Sequence, residues 1–297
     1  MNDLALYCKS YLPDVLRAAQ LAKSIRQHNS YDIPFYLSCP SSDLALFNNI
    51  IGTEGVILLA DEEIVAANNN LDKKKISIIP SNVSQQIIKS EFWRLGLSEN
   101  YLCLDSDSYF IRDFGKNDFL HASGAPYTVI NESFELRLFG SLHHHAKITR
   151  NIDDERRKIM EIFERTDKYY DFGPLPVMWS RRVWSDLAER FLEPKQMSML
   201  DAILLFPSEM RWYGEALLKF KSIELWPVET LFRCYHYESQ FYNAKKSGET
   251  EEILSQVYLG ICRQSAWDQT LRYEQNKKMI LSGFARTFKR LILRRLV

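Results

Sequence analysis

The sequence predicts an α/β fold: a doubly wound, mostly parallel sheet flanked by helices, followed by a C-terminal amphipathic basic helix. Three observations carry that expectation. Short apolar runs and helix-periodic segments alternate in β-α-β-α-β order through the first sixty residues, an order that parallel strands joined by crossover helices satisfy. Tyr101-Leu102-Cys103-Leu104 is apolar without alternation, as in a strand buried on both faces, and it runs straight into Asp105-Ser106-Asp107. Residues 279–297 place apolar and basic side chains on opposite faces of a helix.

Leu4–Cys8 reads as the first strand. Asp14 opens a helix whose apolar face is Val15, Leu16, Ala19, Leu21, Ala22 and Ile25. Pro34–Cys39 is the second strand, Asp43–Phe47 the next helix, and Val56–Leu59 the third strand, closed by Asp61-Glu62-Glu63. The loop from Lys9 to Asp14 then lies near the end of the Asp105 strand. It has neither the G-x-G-x-x-G nor the GxxxxGK[ST] pattern, which argues against a dinucleotide or P-loop site. Residues 66–84, rich in Asn, Lys and Ser, are expected as an irregular loop. Gln85–Leu95 is a helix whose polar edge, Gln85, Gln86 and Lys89, either meets one ligand or is a solvated face.

Residues 115–170 carry mixed charge and weak periodicity, with a helix expected over Asp153–Arg165. His143-His144-His145 lacks the partner spacing of a zinc site and reads as a mobile loop, ahead of the alternative of acceptor-side contacts. Phe172–Ser180 is a turn entering an edge-like strand, because proline disfavours central ladders. Helices follow over Arg181–Phe191 and Ser198–Phe206. Ser208 is a suitable N-cap for another, and Glu209 in its first turn is kept ionised by the helix dipole. Late strands run through Leu225-Trp226 and Leu231–Tyr235, with His236 directly after, a residue type more often structural than a ligand.

Hydrophobic residues make up 46% and charged residues 26% of the 297, ordinary for a soluble globular protein. Formal charge is zero, yet Lys277–Val297 holds seven basic residues and no acid, leaving −7 on the 276 residues before it. An acidic body with a basic tail suggests a local anionic partner for the tail and not a nucleic-acid-binding protein. The five cysteines include no C-x-x-C pair and read as reduced thiols, three of them in apolar strand-like runs. The polar-interrupted start MNDLALYCKS is no signal peptide, so a cytoplasmic location is expected.

Two carboxylates as close as Asp105 and Asp107 repel each other unless a cation or a proton is shared. Oxygen ligands at a strand end suit Mg²⁺ or Mn²⁺ bridged to substrate phosphates; the alternative is an acidic strand-to-loop turn without metal.

Several stretches in this order and spacing resemble a GT-A-type glycosyltransferase. They are Lys9-Ser10-Tyr11 with Asp14, Gln85-Gln86 with Lys89, Leu104–Phe110, Val177–Ser180, Ser208-Glu209 with Tyr213-Gly214, and Cys234-Tyr235-His236. More narrowly, residues 3–240 are similar to the DUF6492 group of bacterial glycosyltransferases found with polysaccharide biosynthesis. The resemblance implies a GT-A-like, Rossmann-type catalytic domain over 1–240, with a donor half near 1–114 and an acceptor half near 115–240. A helical region over 241–297 would end in the tail. It implies a nucleotide-sugar donor, UDP-sugars being the expected class, and Mn²⁺ or Mg²⁺ as cofactor.

By resemblance, Asp107 would ligate the metal, Asp105 the metal or the donor ribose, and His236 a further metal or diphosphate contact. Tyr7, Lys9, Ser10, Tyr11 and Asp14 would hold the base or diphosphate, with Gln86, Lys89 and Ser106 beside them. Glu209 matches the general base of inverting members, deprotonating the acceptor hydroxyl, with Glu215 the competing choice; in a retaining enzyme Glu209 would bind sugar instead. The implied acceptor is a lipid-linked saccharide of bacterial surface polysaccharide assembly. Residues 279–297 would then hold the protein peripherally at the anionic inner face of the cytoplasmic membrane. The alternative for that helix is docking on the domain or on a second subunit, which makes a homodimer. The competing functions are a metal-dependent nucleotidyl- or phosphotransferase and a non-catalytic glycan-binding or scaffold domain.

Overall fold

Strand β1 (Asn2–Lys9) sits at the centre of the molecule because both of its faces are apolar. Ala5 and Tyr7 point to one side of the sheet, and Leu4, Leu6 and Cys8 to the other, each packed in its own hydrophobic layer. The computed structural model describes residues 1–142 and 146–273. His143–His145 and the basic tail 279–297 lie outside the described residues.

The expected alternation is present: β1, α1 (Val15–His28), β2 (Phe35–Cys39), α2 (Leu44–Ile51) and β3 (Ile57–Ala60). α1 and α2 bury Val15, Leu21, Ile25 and Phe47 in one layer of the sheet. Residues 66–84 depart from the expected loop. After α3 (Asp61–Ala66) they form α4 (Lys73–Ile78) and the start of α5 (Ser81–Glu91). Asp72 nucleates α4 by accepting the Lys75 amide at 3.0 Å, a cap that outweighs the polar composition. α5 buries Ile87 and Ile88 against the other face of the sheet and delivers the chain to β4 (Ser98–Asp105).

The chain continues through β5 (Ser108–Phe110), β6 (Tyr127–Val129), α6 (Phe134–Leu142), α7 (Ala146–Phe163) and β7 (Val177–Ser180). α8 (Arg181–Asp186), α9 (Met199–Leu205) and α10 (Glu209–Phe220) cover the α5 face, followed by β8 (Trp226–Val228) and β9 (Phe232–Tyr235). The central sheet has the order β3-β2-β1-β4-β7; all neighbours are parallel except β7, an antiparallel edge strand. The protein is thus α/β with a mostly parallel central sheet flanked by helices. No helix among the described residues is long and apolar enough to cross a membrane.

The stretch after residue 240 is not helical throughout. α11 (Glu238–Lys246) and α12 (Glu251–Leu254) lead into β10 (Gly260–Arg263), which pairs antiparallel with β5 and parallel with β9. This small sheet abuts the end of β4, because β5 begins three residues beyond Asp105. Gly260 makes the pairing feasible. A Cβ there would stand 2.1 Å from the Phe232 ring and 2.4 Å from the Tyr109 carbonyl oxygen. Gly260→Ala is therefore expected to cost about 1–3 kcal/mol of overpacking. A lowered urea midpoint with an unchanged denaturant slope checks it; an unchanged midpoint refutes the packing argument.

Candidate functional site

The register between β1 and β4 sets Lys9 beside Asp105 at the carboxyl ends of the two strands. The chain runs outward from β1 to β2 and β3 on one side and returns on the other through β4, so β1/β4 is the topological switch point. Ligands bind at such points in open α/β sheets. Asp105 is half-buried and lines a cavity of about 850 Å³, large enough for a substrate-sized ligand.

Lys89 governs the Asp105 carboxylate. Two turns into α5, its side chain is 2% exposed and donates to Asp105 Oδ1, while its ammonium stands 3.8 Å from Glu209 Oε1. Burial opposes the ammonium charge, but Asp105 and then Glu209 outweigh it and hold the lysine pKa above its usual value. Glu209 is 5% exposed at the start of α10, where Ser208 caps the helix as expected. Burial raises its pKa and Lys89 opposes the rise. The polar edge of α5 is therefore no solvated face at Lys89. Gln86 is not drawn in; its amide donates to the Asn82 carbonyl one turn earlier.

Asp107 is engaged from a distant part of the chain. The Ser265 amide donates to its Oδ2 at 2.7 Å and the Cys262 thiol to its Oδ1 at 3.4 Å. Burial and then the Asp105 charge push its pKa up to about 7. Cys262 and Cys234 are register partners on β10 and β9, and both line the cavity with His236. The Cys262 bond draws the Cys234 thiol down to about 6, with His236 helping. Burial opposes charge on His236, while Cys234 and Asp171 raise its pKa. All five cysteines are free thiols.

Several expected contacts fall elsewhere. Tyr7 cannot meet a ligand: it is fully buried, stacked on Phe92 at 3.8 Å, with its hydroxyl 3.0 Å from Ser38 Oγ. Lys9 is 8% exposed, 3.2 Å from Asp61 and donating to the Ser10 carbonyl, so it has no free charge for a diphosphate. Asp14 is buried and bound by Arg17. Ser10 and Ser106 are buried beside the strand ends, and Tyr11 is half-buried. Glu215 is not a base. Arg165 donates to both its oxygens, at 2.6 and 2.8 Å, and the carboxylate is 1% exposed, a fixed element of α10 packing.

Sequence reasoning missed Asp171, Cys262 and Ser265. Asp171 is a cavity hub that accepts from Ser133 Oγ at 2.7 Å and Arg156 at 3.2 Å and lies 3.9 Å from Arg211. The signals were faint: an acid embedded in Tyr169-Tyr170-Asp171-Phe172, and the short apolar run Tyr258–Cys262.

Asp105 and Asp107 are the groups that could hold a hard divalent cation. Among the described residues no three His, Cys, Asp or Glu side chains are disposed to bind an ion by themselves. A carboxylate whose proton affinity is raised by a second one beside it still fits the commoner Mg²⁺ arrangement, in which water and substrate phosphates complete the shell.

A protein-family comparison matches residues 4–273 to a family of unknown function, DUF6492. The chain belongs to that family. The DUF6492 match reaches past β10, so the strand that engages Asp107 lies within it, and it ends at residue 273, before the basic tail. No curated protein matches the chain.

The raised Asp107 pKa sets a pH dependence. The folded carboxyl keeps its proton up to about pH 7 and the unfolded one loses it near 3.8. Between those values the folded state binds more protons, so its stability falls as pH rises. Urea midpoints of the wild type should decline from pH 5 to 7.5 more steeply than those of Asp107→Asn. Parallel declines would refute the shift.

Proposed function

We propose that the protein is a metal-dependent GT-A-type glycosyltransferase. It moves a sugar from a nucleotide-sugar donor, with UDP-sugars the expected class, to a lipid-linked saccharide in bacterial surface polysaccharide assembly. One observation carries the reading: Asp105 ends β4 at the switch point of a parallel sheet and lines a cavity of about 850 Å³, with a second carboxylate, Asp107, two residues further on. Bound Mn²⁺ or Mg²⁺ would supply Lewis-acid neutralisation of the departing nucleoside diphosphate. Asp105 and Asp107 would hold it, and His236 faces the same cavity.

Lys89 fixes the orientation of Asp105, and Glu209 helps keep Lys89 charged, so Glu209 serves as a positioning residue. The nucleotide lies against the loop from Ser10 to Asp14, where Tyr11 is the half-buried ring on offer. The acceptor sugar occupies the cavity between Asp105 and the wall formed by Tyr170, Arg211 and Tyr258.

Calorimetric titration with UDP, GDP and CMP, with and without Mn²⁺, tests the donor half. Metal-dependent binding of one nucleotide is expected, growing stronger as pH rises through about 7 and Asp107 ionises. Asp107→Ala should abolish the metal dependence; undiminished binding in that variant sinks the assignment. Residues 279–297 are proposed to bring the enzyme to the inner leaflet. Removing them should eliminate co-flotation with anionic liposomes, and equal flotation with and without them would refute the anchor.

A further inference from the structure

Resting on that reading, we propose that the cavity selects acceptor sugars without negative charge: neutral hexoses or amino sugars, and not uronic acids or sugar phosphates. The reason is the way its cations are used. The wall carries the carboxylates Asp105, Glu132, Glu135, Glu155, Asp171 and Glu229 against two guanidiniums, Arg211 and Arg233. Each guanidinium is already clamped between two acids. Arg211 binds Glu155 and lies 3.9 Å from Asp171. Arg233 holds Glu249 with two nitrogens, at 3.0 and 3.2 Å, and Glu135 with a third at 3.0 Å.

The cations behind the wall follow the same pattern. Lys89 is shared by Asp105 and Glu209, and Arg156, 1% exposed, is bound to Asp171. At the rim, Lys168 is 2.6 Å from Glu132. His236 is the remaining basic side chain on the wall, with Asp171 and Cys234 beside it. An anionic sugar would have to displace a carboxylate from one of these pairs or sit uncompensated among the remaining acids, and like charges in such a cleft are strongly disfavoured. An uncharged pyranose meets none of that repulsion. It finds carboxylate acceptors for its hydroxyls and the rings of Tyr170, Tyr258 and exposed Phe134 for its apolar face.

Saturation-transfer NMR on the full chain, without added metal, tests the inference with methyl glucoside, methyl glucosaminide, methyl glucuronide and glucose 6-phosphate. The first two are expected to bind, and the two anions about tenfold more weakly or worse. The gap should narrow between about 50 and about 500 mM NaCl as the field is screened. Glu229→Lys and Glu135→Gln should each narrow the ratio of methyl glucoside to glucuronide affinity; both sites are exposed, so neither variant depends on core packing. Equal or tighter binding of the anions overturns the proposal. Absence of transfer from all four probes overturns it as well. Failure of the glycosyltransferase reading registers separately, as lost metal-dependent nucleotide binding.

Discussion

One buried ammonium organises the site. Lys89 comes from α5, on one face of the sheet, and reaches both Asp105 at the end of β4 and Glu209 at the start of α10. A lysine this enclosed is tolerated only when its charge is answered. Two carboxylates answer it here, and both are thereby held in place. Three separate elements are pinned to one point. Removing either acid would leave the other and the lysine unbalanced, so the geometry at the end of β4 depends on the full trio. The site is rigid where it meets the sheet.

Asp107 is held by a different device. Its partners come from β10 and the residue pair beyond it, more than 150 positions later in the chain. The strand returns because β5, only a few residues past Asp105, leaves an edge that β10 fills, with β9 on its far side. The cavity wall is then completed by Cys234, His236 and Cys262, a polarisable row beside two hard carboxylates. The two aspartates thus have distinct environments. Asp105 is half-exposed and salt-bridged; Asp107 is bound by an amide and a thiol and has a high proton affinity.

Beyond the aspartates the cavity is a lattice of shared charges. Acids outnumber bases, and each guanidinium on the wall is divided between two carboxylates. Such a surface excludes further negative charge unless a cation comes with it, which is consistent with a diphosphate arriving beside a divalent ion and a sugar arriving without charge.

The fold class was legible in the sequence because it rests on local pattern. Apolar runs buried on both faces, separated by helix-periodic segments, specify a parallel sheet wherever they occur, and the Asp105–Asp107 pair could be placed at a strand end from its neighbours alone. Local pattern does not say which distant residue returns to a site. Lys89 looked like one of three polar residues on a helix edge until packing drew it inward; Glu215 looked like a base until Arg165 closed over it. Tyr7 read as a ligand contact, but the alternation of β1 turns it into the core against Phe92. The β10 strand and Asp171 were decided by tertiary structure altogether, because their roles come from pairing and charge balance across long sequence separations, which no local periodicity records.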